Sequence, residues 1–370
     1  MKSLSQIERI DLDRPPPASV RRASATSSDA EVANPFRDFA DANMPWLDRA
    51  VDPLEVERCL QSPSLPFGEN GGRVSLKAIR VTRYKPGRRC LVEYDLSIQP
   101  ASGLRQRITV IGKVRAKGLD KATCSLHRAL WDAGFDKDSA DQISIPKALG
   151  VIPDFRMWLQ TKVPGVTALE LLAKPDGFML ARRIADAAHK LHKAGVPAKR
   201  QHSMEDEIRI LGDRLQRVAQ MQPQWTERLQ RLFQACGQLG ASVPKGSRCG
   251  IHRDFYPAQI VVDDARLWLL DFDLYCEGDP GLDIGNFIGH LTEQSLRRCR
   301  NPLALSDCEQ ALEERFVELS DEAVRPAIRV YALLTLARHI YVSTQFEERR
   351  STTSALLELC EERLNRLKMA

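Results

Sequence analysis

A change of period divides this chain. Between Val74 and Arg115, apolar and polar residues alternate in VSLKAIRVTRY, CLVEYDLSI and ITVIGKVR, separated by the turn chemistry of KPGRR and QPASGLRQ. A period of two broken by Gly and Pro is the pattern of an antiparallel meander. ATCSLHRALWDAGF then carries apolar residues at helical spacing and ends near a glycine, which predicts a helix. A further strand pair is expected at 147–150 and 156–161. From Val166 onward the alternation stops. LARRIADAAHKLHKAG sets Ile184, Ala187, Ala188 and Leu191 on one helical face, and helices are expected at 205–220, 225–239, 306–319, 321–346 and 352–368. The chain is therefore expected to be α+β, with a small antiparallel-sheet lobe over 44–162, a larger helical lobe over 163–370 and a hinge near 160–166.

The stretch RPPPASVRRASATSSDAEV has no apolar period, and residues 1–43 are expected to form a disordered tail. Asp52 and Pro53 read as an N-cap and a first-turn proline opening a helix through Leu60. With 54 Lys and Arg against 49 Asp and Glu, the net charge of +5 calls for neither a nucleic-acid nor a membrane partner. No run of 18 apolar residues offers a membrane span, and the opening residues lack the apolar core of a secretory leader. Nine cysteines without a C-x-x-C spacing fit reduced thiols in a cytoplasmic protein.

The chemistry concentrates in GIHRDFYPAQIVVDDARLWLLDFDLYCEGDPGLDIGNF. Ile260–Val262 and Leu267–Leu270 read as two short strands joined by a hairpin turn. A hairpin brings the residues flanking its strands, Gln259 and Asp271, to one end. An amide oxygen and a carboxylate together suit Mg²⁺, which takes a few hard oxygen ligands and keeps several waters. Asp254, five residues before Gln259, is a carboxylate outside that pair, as a hydroxyl nucleophile needs for its proton. The spacing H-x-D-x-x-x-x-[N/Q], followed by D-F-D, is a phosphoryl-transfer layout.

With Gly278-Asp279-Pro280-x-x-Asp283, these residues make the chain resemble the aminoglycoside phosphotransferase family, small-molecule kinases with a protein-kinase-like two-lobe fold. The resemblance implies ATP (or GTP) and Mg²⁺ as cofactors and a small-molecule hydroxyl as acceptor. It makes Asp254 the catalytic base, Asp271 and Gln259 the metal ligands, and His252 and Asp283 braces of the loop. The family usually carries Asn where this chain has Gln259, one methylene longer. In VIGKVR, the two-residue period places Ile111 and Lys113 on one face of a central strand. Lys113 resembles the family lysine that meets the phosphates, yet the following helix offers no mid-helix glutamate to pair with it. The KPGRR turn would cover the phosphates, and the chain at Gln160 and Lys162 would meet the base.

The blander readings are loop or cap aspartates for Asp254 and Asp271, a solvated edge residue for Gln259 and an exposed strand lysine for Lys113. His189 and His192 lack an acidic or cysteine partner for a metal, and His290 and His339 read as ordinary helical histidines. From Leu291 to Ala370 there are 13 acidic and 12 basic residues, no bias toward a polycationic acceptor. The expected function is an ATP-dependent phosphotransferase acting on a sugar, amino sugar or amino alcohol, with an antibiotic as a further acceptor. The alternative is a nucleotide-binding regulator with little catalysis. A protein kinase fits less well, because Asp273 follows Asp271-Phe272 and no long activation segment intervenes before Gly278.

Overall fold

The computed structural model describes residues 20–21, 30–36, 41–67, 73–100 and 103–369. Contacts divide the chain into a first unit up to Lys137 and over Ile145–Val163, and a second over Asp138–Ser144 and from Pro164 onward.

The first unit is a seven-stranded sheet. It begins with β1 (Val20–Arg21), β2 (Glu31–Ala33), α1 (Leu47–Ala50) and α2 (Pro53–Leu60), followed by the meander β3 (Arg73–Lys85), β4 (Arg89–Gln99) and β5 (Gln106–Arg115). After α3 (Lys121–Leu130), the chain passes through β6 (Ile143–Ser144), which belongs to the second unit. It returns with β7 (Ala148–Ile152) and β8 (Met157–Thr161), giving the order β1-β2-β3-β4-β5-β8-β7. All pairings are antiparallel except β2 with β3. One face buries Val92, Tyr94, Val110, Val114, Met157 and Leu159 with Leu47, Val56 and Leu60 of the short helices. Asp52 caps α2 by accepting from the N–H groups of Leu54 and Glu55 at 2.9 and 3.0 Å. On the other face, Cys124 of α3 clusters with Ala148 and Trp158.

One expectation is corrected here. The stretch read as a disordered tail over 1–43 contains a strand: Glu31–Ala33 pairs with Ala78–Arg80. Edge N–H and C=O groups of β3 can recruit a strand without an apolar period, which is why composition missed it. Residues 1–19, 22–29 and 37–40 lie outside the described residues. The helix expected in ATCSLHRALWDAGF is present: α3 continues as one π turn, Trp131–Phe135, and breaks at Gly134 with φ +95°.

The second unit is mainly helical. It contains β9 (Val166–Thr167), α4 (Ala168–Leu172), α5 (Gly177–Lys193), α6 (Met204–Met221) and α7 (Thr226–Ser242). These precede β10 (Cys249–Ile251), β11 (Ile260–Asp263), β12 (Arg266–Leu269) and β13 (Cys276–Gly278). The chain closes with α8 (Gly281–Cys299), α9 (Ser306–Leu319), α10 (Arg325–Thr344) and α11 (Thr353–Met369). Ser203 and Asp206 form a capping box at the start of α6.

Helix α8 is buried along most of its length, and α10 runs beside it. A glycine seam sets their approach. A Cβ on Gly285 would lie 2.5 Å from the Tyr331 Cβ and 2.6 Å from the Ile328 carbonyl oxygen, and one on Gly289 would lie 2.7 Å from the Thr335 Cβ. No helix among the described residues is long and apolar enough to cross a membrane.

Candidate active site

Two nested hairpins assemble the site in the second unit. Strands β10 and β13 pair with Ile251 opposite Cys276, and between them β11 and β12 pair with Ile260 opposite Leu269. Residues 252–259 and 270–275 are thus two connections between the same strand pairs. They meet where the Leu270 N–H donates to the Gln259 carbonyl at 2.8 Å. The direct partner of Gln259 is therefore Leu270, and Asp271 stands one residue beyond. Asp271 has φ +57° and ψ +66°, a left-handed conformation that turns the chain out of the strand.

The 252–259 loop is held to α8 at several points. Asp283 is fully buried and accepts from the backbone N–H groups of His252 at 2.8 Å and Arg253 at 2.7 Å. His192 Nε2 contacts the same carboxylate at 2.9 Å. Asn286 donates to the Phe255 carbonyl at 2.9 Å, and Phe255 packs on Phe287 with ring centres 5.4 Å apart. Tyr256 stacks on His290 at 4.6 Å. Asp254 lies half-buried among these attachments. The His252 ring donates from Nε2 to the Leu270 carbonyl at 2.7 Å, tying this loop to the residue before Asp271.

Gln259 is 8% exposed, and its Nε2 donates to the Tyr256 hydroxyl at 3.4 Å. The solvated-edge reading of this residue therefore does not hold. Gln259 offers an amide oxygen and Asp271 a carboxylate, hard oxygen donors of the kind Mg²⁺ takes. No cluster of three or more His, Cys, Asp or Glu metal ligands occurs among the described residues.

The candidate nucleotide residues lie in the first unit. Lys113 and Trp158 are register partners on β5 and β8. Lys113 Nζ lies 5.0 Å from the centre of the Trp158 ring, and among the described residues no carboxylate is within ion-pair distance of it. Gln160, 4% exposed, pairs with Ile111 and Ala148, and its Oε1 has no hydrogen-bond partner. Lys162 donates from Nζ to Glu93 at 2.9 Å and from its backbone N–H to the Thr109 carbonyl at 2.9 Å. The KPGRR turn is already engaged: the Gly87 N–H donates to Asp41 at 2.6 Å.

The sequence reading did not single out Glu93 or Asp41. Glu93 is 8% exposed and also has the Arg80 guanidinium at 3.6 Å. Its signal was a carboxylate, one of two, inside the largely apolar run CLVEYDLSI. Asp41 lay in the stretch read as tail.

The fold is the protein-kinase-like α+β architecture. A choline/ethanolamine kinase family protein from Mesorhizobium loti has a similar structure, with a TM-score of 0.53 at 13% identity, covering 85% of this chain and 99% of that one. A thermostable mutant of aminoglycoside phosphotransferase APH(4)-Ia in its apo form gives 0.52 at 14% identity, covering 84% and 98%. A ternary complex of that thermostable enzyme with AMP-PNP and hygromycin B gives 0.51 at 14%, also covering 84% and 98%. No curated protein matches the sequence. The pattern of the phosphotransferase enzyme family matches residues 129–317, slightly more than half of the chain, and the chain belongs to that family.

Proposed function

We propose that the protein is a small-molecule kinase. It moves the γ-phosphoryl group of ATP, with GTP as the second candidate donor, to a hydroxyl of a sugar, amino sugar or amino alcohol. The observation that carries this reading is the fixing of residues 252–259. Asp283 holds the loop's backbone and His252 ties it to Leu270, so Asp254 and Asp271 are presented by two joined segments.

In this reaction Asp254 accepts the proton of the acceptor hydroxyl as that oxygen bonds to the γ-phosphorus. The bond from phosphorus to the β–γ bridging oxygen breaks, and the nucleoside diphosphate leaves. Asp271 and Gln259 would hold Mg²⁺, which when bound offsets phosphate charge. Lys113 neutralises phosphate oxygens, and Gln160 and Lys162 stand at the strand end that meets the base. The nucleotide site belongs to the lobe read over 44–162, and the catalytic and acceptor sites to 163–370. The complex of a similarly folded enzyme with AMP-PNP and hygromycin B supports a nucleotide donor and a small-molecule acceptor. Nine free thiols suit a reducing, cytoplasmic setting.

The test is Mg²⁺-dependent release of ADP by wild type and Asp254→Ala, with a panel of sugars, amino alcohols and aminoglycosides. Acceptor-stimulated release is expected to fall about a thousandfold in the variant, while the nucleotide-induced thermal shift persists. Equal release from both proteins overturns the assignment of Asp254. The missing carboxylate at Lys113 favours one second reading, a nucleotide-binding regulator. Under that reading, neither protein turns over and both show the thermal shift.

A further inference from the structure

Helix α8 has two working faces. Asp283, Asn286, Phe287 and His290 lie along the stripe that holds the catalytic loop. Ile288 and Thr292, one turn apart, lie about half a helical turn away from that stripe. There the helix borders a cavity of about 420 Å³ between α8, α9, α10 and α11. This volume is in the range of small-molecule sites.

The cavity has an apolar floor and charged walls. Ile288, Ala332, Leu333 and Leu367 supply the floor. Glu309, Glu313 and Glu314 line it beside Arg325, Arg329, Arg363 and Arg366, four cations against three anions. The carboxylates are already engaged. Glu309 accepts from the Thr292 hydroxyl at 2.6 Å and from Arg363 at 3.1 Å. Glu313 accepts from Arg325 at 2.8 Å and Arg329 at 3.1 Å, and Glu314 accepts from Gln310 at 2.7 Å.

A guanidinium has five N–H donors. Arg329 uses its Nε on Glu313 and Arg363 uses one Nη on Glu309, while Arg366 has no hydrogen-bond or ion-pair partner among the described residues. Burial pushes the Glu309 carboxyl up, with Arg363 opposing it. Donor capacity is left over on three of the four arginines, while each of the three carboxylates already has at least one donor.

We propose that this cavity is a second binding site, on the opposite side of α8 from the catalytic loop, for a small organic anion. Such a ligand sets one carboxylate or phosphate group against Arg329, Arg363 and Arg366 and a compact apolar part on Ile288, Leu333 and Leu367. Planar guanidinium groups match both oxyanions through paired N–H donors. None of its lining residues is among those assigned a role in the reaction above.

Calorimetric titration of the full-length protein tests the proposal without relying on turnover. The probes are inorganic phosphate, short branched carboxylates and small phosphomonoesters, each against sodium chloride of equal ionic strength. A carboxylate or phosphomonoester is expected to bind more tightly than inorganic phosphate, because only these fill the apolar floor. Arg366→Ala, which removes an unpartnered side chain, is expected to weaken that ligand about tenfold. Ser306→Trp is expected to abolish binding by filling the cavity, with an unchanged circular-dichroism spectrum showing that the variant folds. The stronger of the two ligand series identifies the anion type. The proposal is overturned if no organic anion binds above the chloride control, or if binding is the same in both variants.

Discussion

Lys113 Nζ stands 5.0 Å from the centre of the Trp158 ring, so the candidate phosphate-binding lysine is positioned by an aromatic face. A cation over an indole is stabilised by about 0.5–1 kcal/mol, less than a buried carboxylate supplies. Trp158→Leu is expected to raise the KM for nucleotide severalfold with kcat nearly unchanged. Lys113→Met is expected to lower kcat about a hundredfold through the lost charge at the phosphates. Steady-state kinetics on both variants separates the two effects. Equal loss of kcat in both would mean that Trp158 does more than hold the lysine.

Asp283→Asn keeps the shape of the side chain but lets its single amide oxygen serve only one of the two N–H groups of His252 and Arg253. The change is expected to destabilise the fold by about 2–4 kcal/mol. It is also expected to reduce kcat far more than nucleotide affinity. Urea denaturation and nucleotide titration of the same preparation measure both quantities. Wild-type kcat in the variant would show that the loop keeps its shape without this anchor.

Two glycine substitutions should move stability in opposite directions. Gly285→Ala drives a methyl group into Tyr331 and the Ile328 carbonyl, and is expected to cost about 1–3 kcal/mol. Gly237 lies inside α7 with nothing within 4 Å of an added Cβ. Gly237→Ala is therefore expected to stabilise by about 0.5–1 kcal/mol. Chemical-denaturation midpoints of the pair give the comparison.

Acid destabilisation should begin well above the carboxylate range. Burial, followed by neighbouring positive charge, holds His290 and His339 well below their ordinary value of 6.5. As pH falls through 6.5 the unfolded chain gains protons that the folded state does not, so stability declines by about 1.4 kcal/mol per pH unit per histidine. Glu207 adds a second phase. Burial alone would raise its carboxyl, but Arg338 and His202 hold it at about 2. Its contribution is complete above the ordinary 4.5 and is lost as pH falls toward 2. Urea midpoints from pH 8 to pH 3 are expected to slope from 6.5 downward, and His290→Gln with His339→Gln should flatten the upper part.

Local period and turn chemistry made the meander, α2 and the helix at Ser306–Leu319 readable, because each is settled by residues close in sequence. The pairing of Glu31–Ala33 with β3 was not readable, since it depends on an edge formed more than forty residues later. At the candidate site, spacing brought Gln259 and Asp271 to one end of a hairpin. It could not show that Leu270 takes the direct position or that Asp271 leaves the strand through a left-handed residue. Lys113 illustrates the same limit. The sequence revealed its missing glutamate, but Trp158 lies across a strand pair whose register only the fold sets.

The two backbone hydrogen bonds that Asp283 accepts span 30 and 31 residues, and Arg253, the donor of one of them, sits at φ +68°, a conformation costly to a non-glycine residue. The 252–259 loop is therefore held by α8 as well as by its own residues. During synthesis these residues are made before the start of α8, so their anchor joins the chain after them. A chain interrupted before that point would carry every residue of the 252–259 loop and still lack the carboxylate that receives the His252 and Arg253 N–H groups.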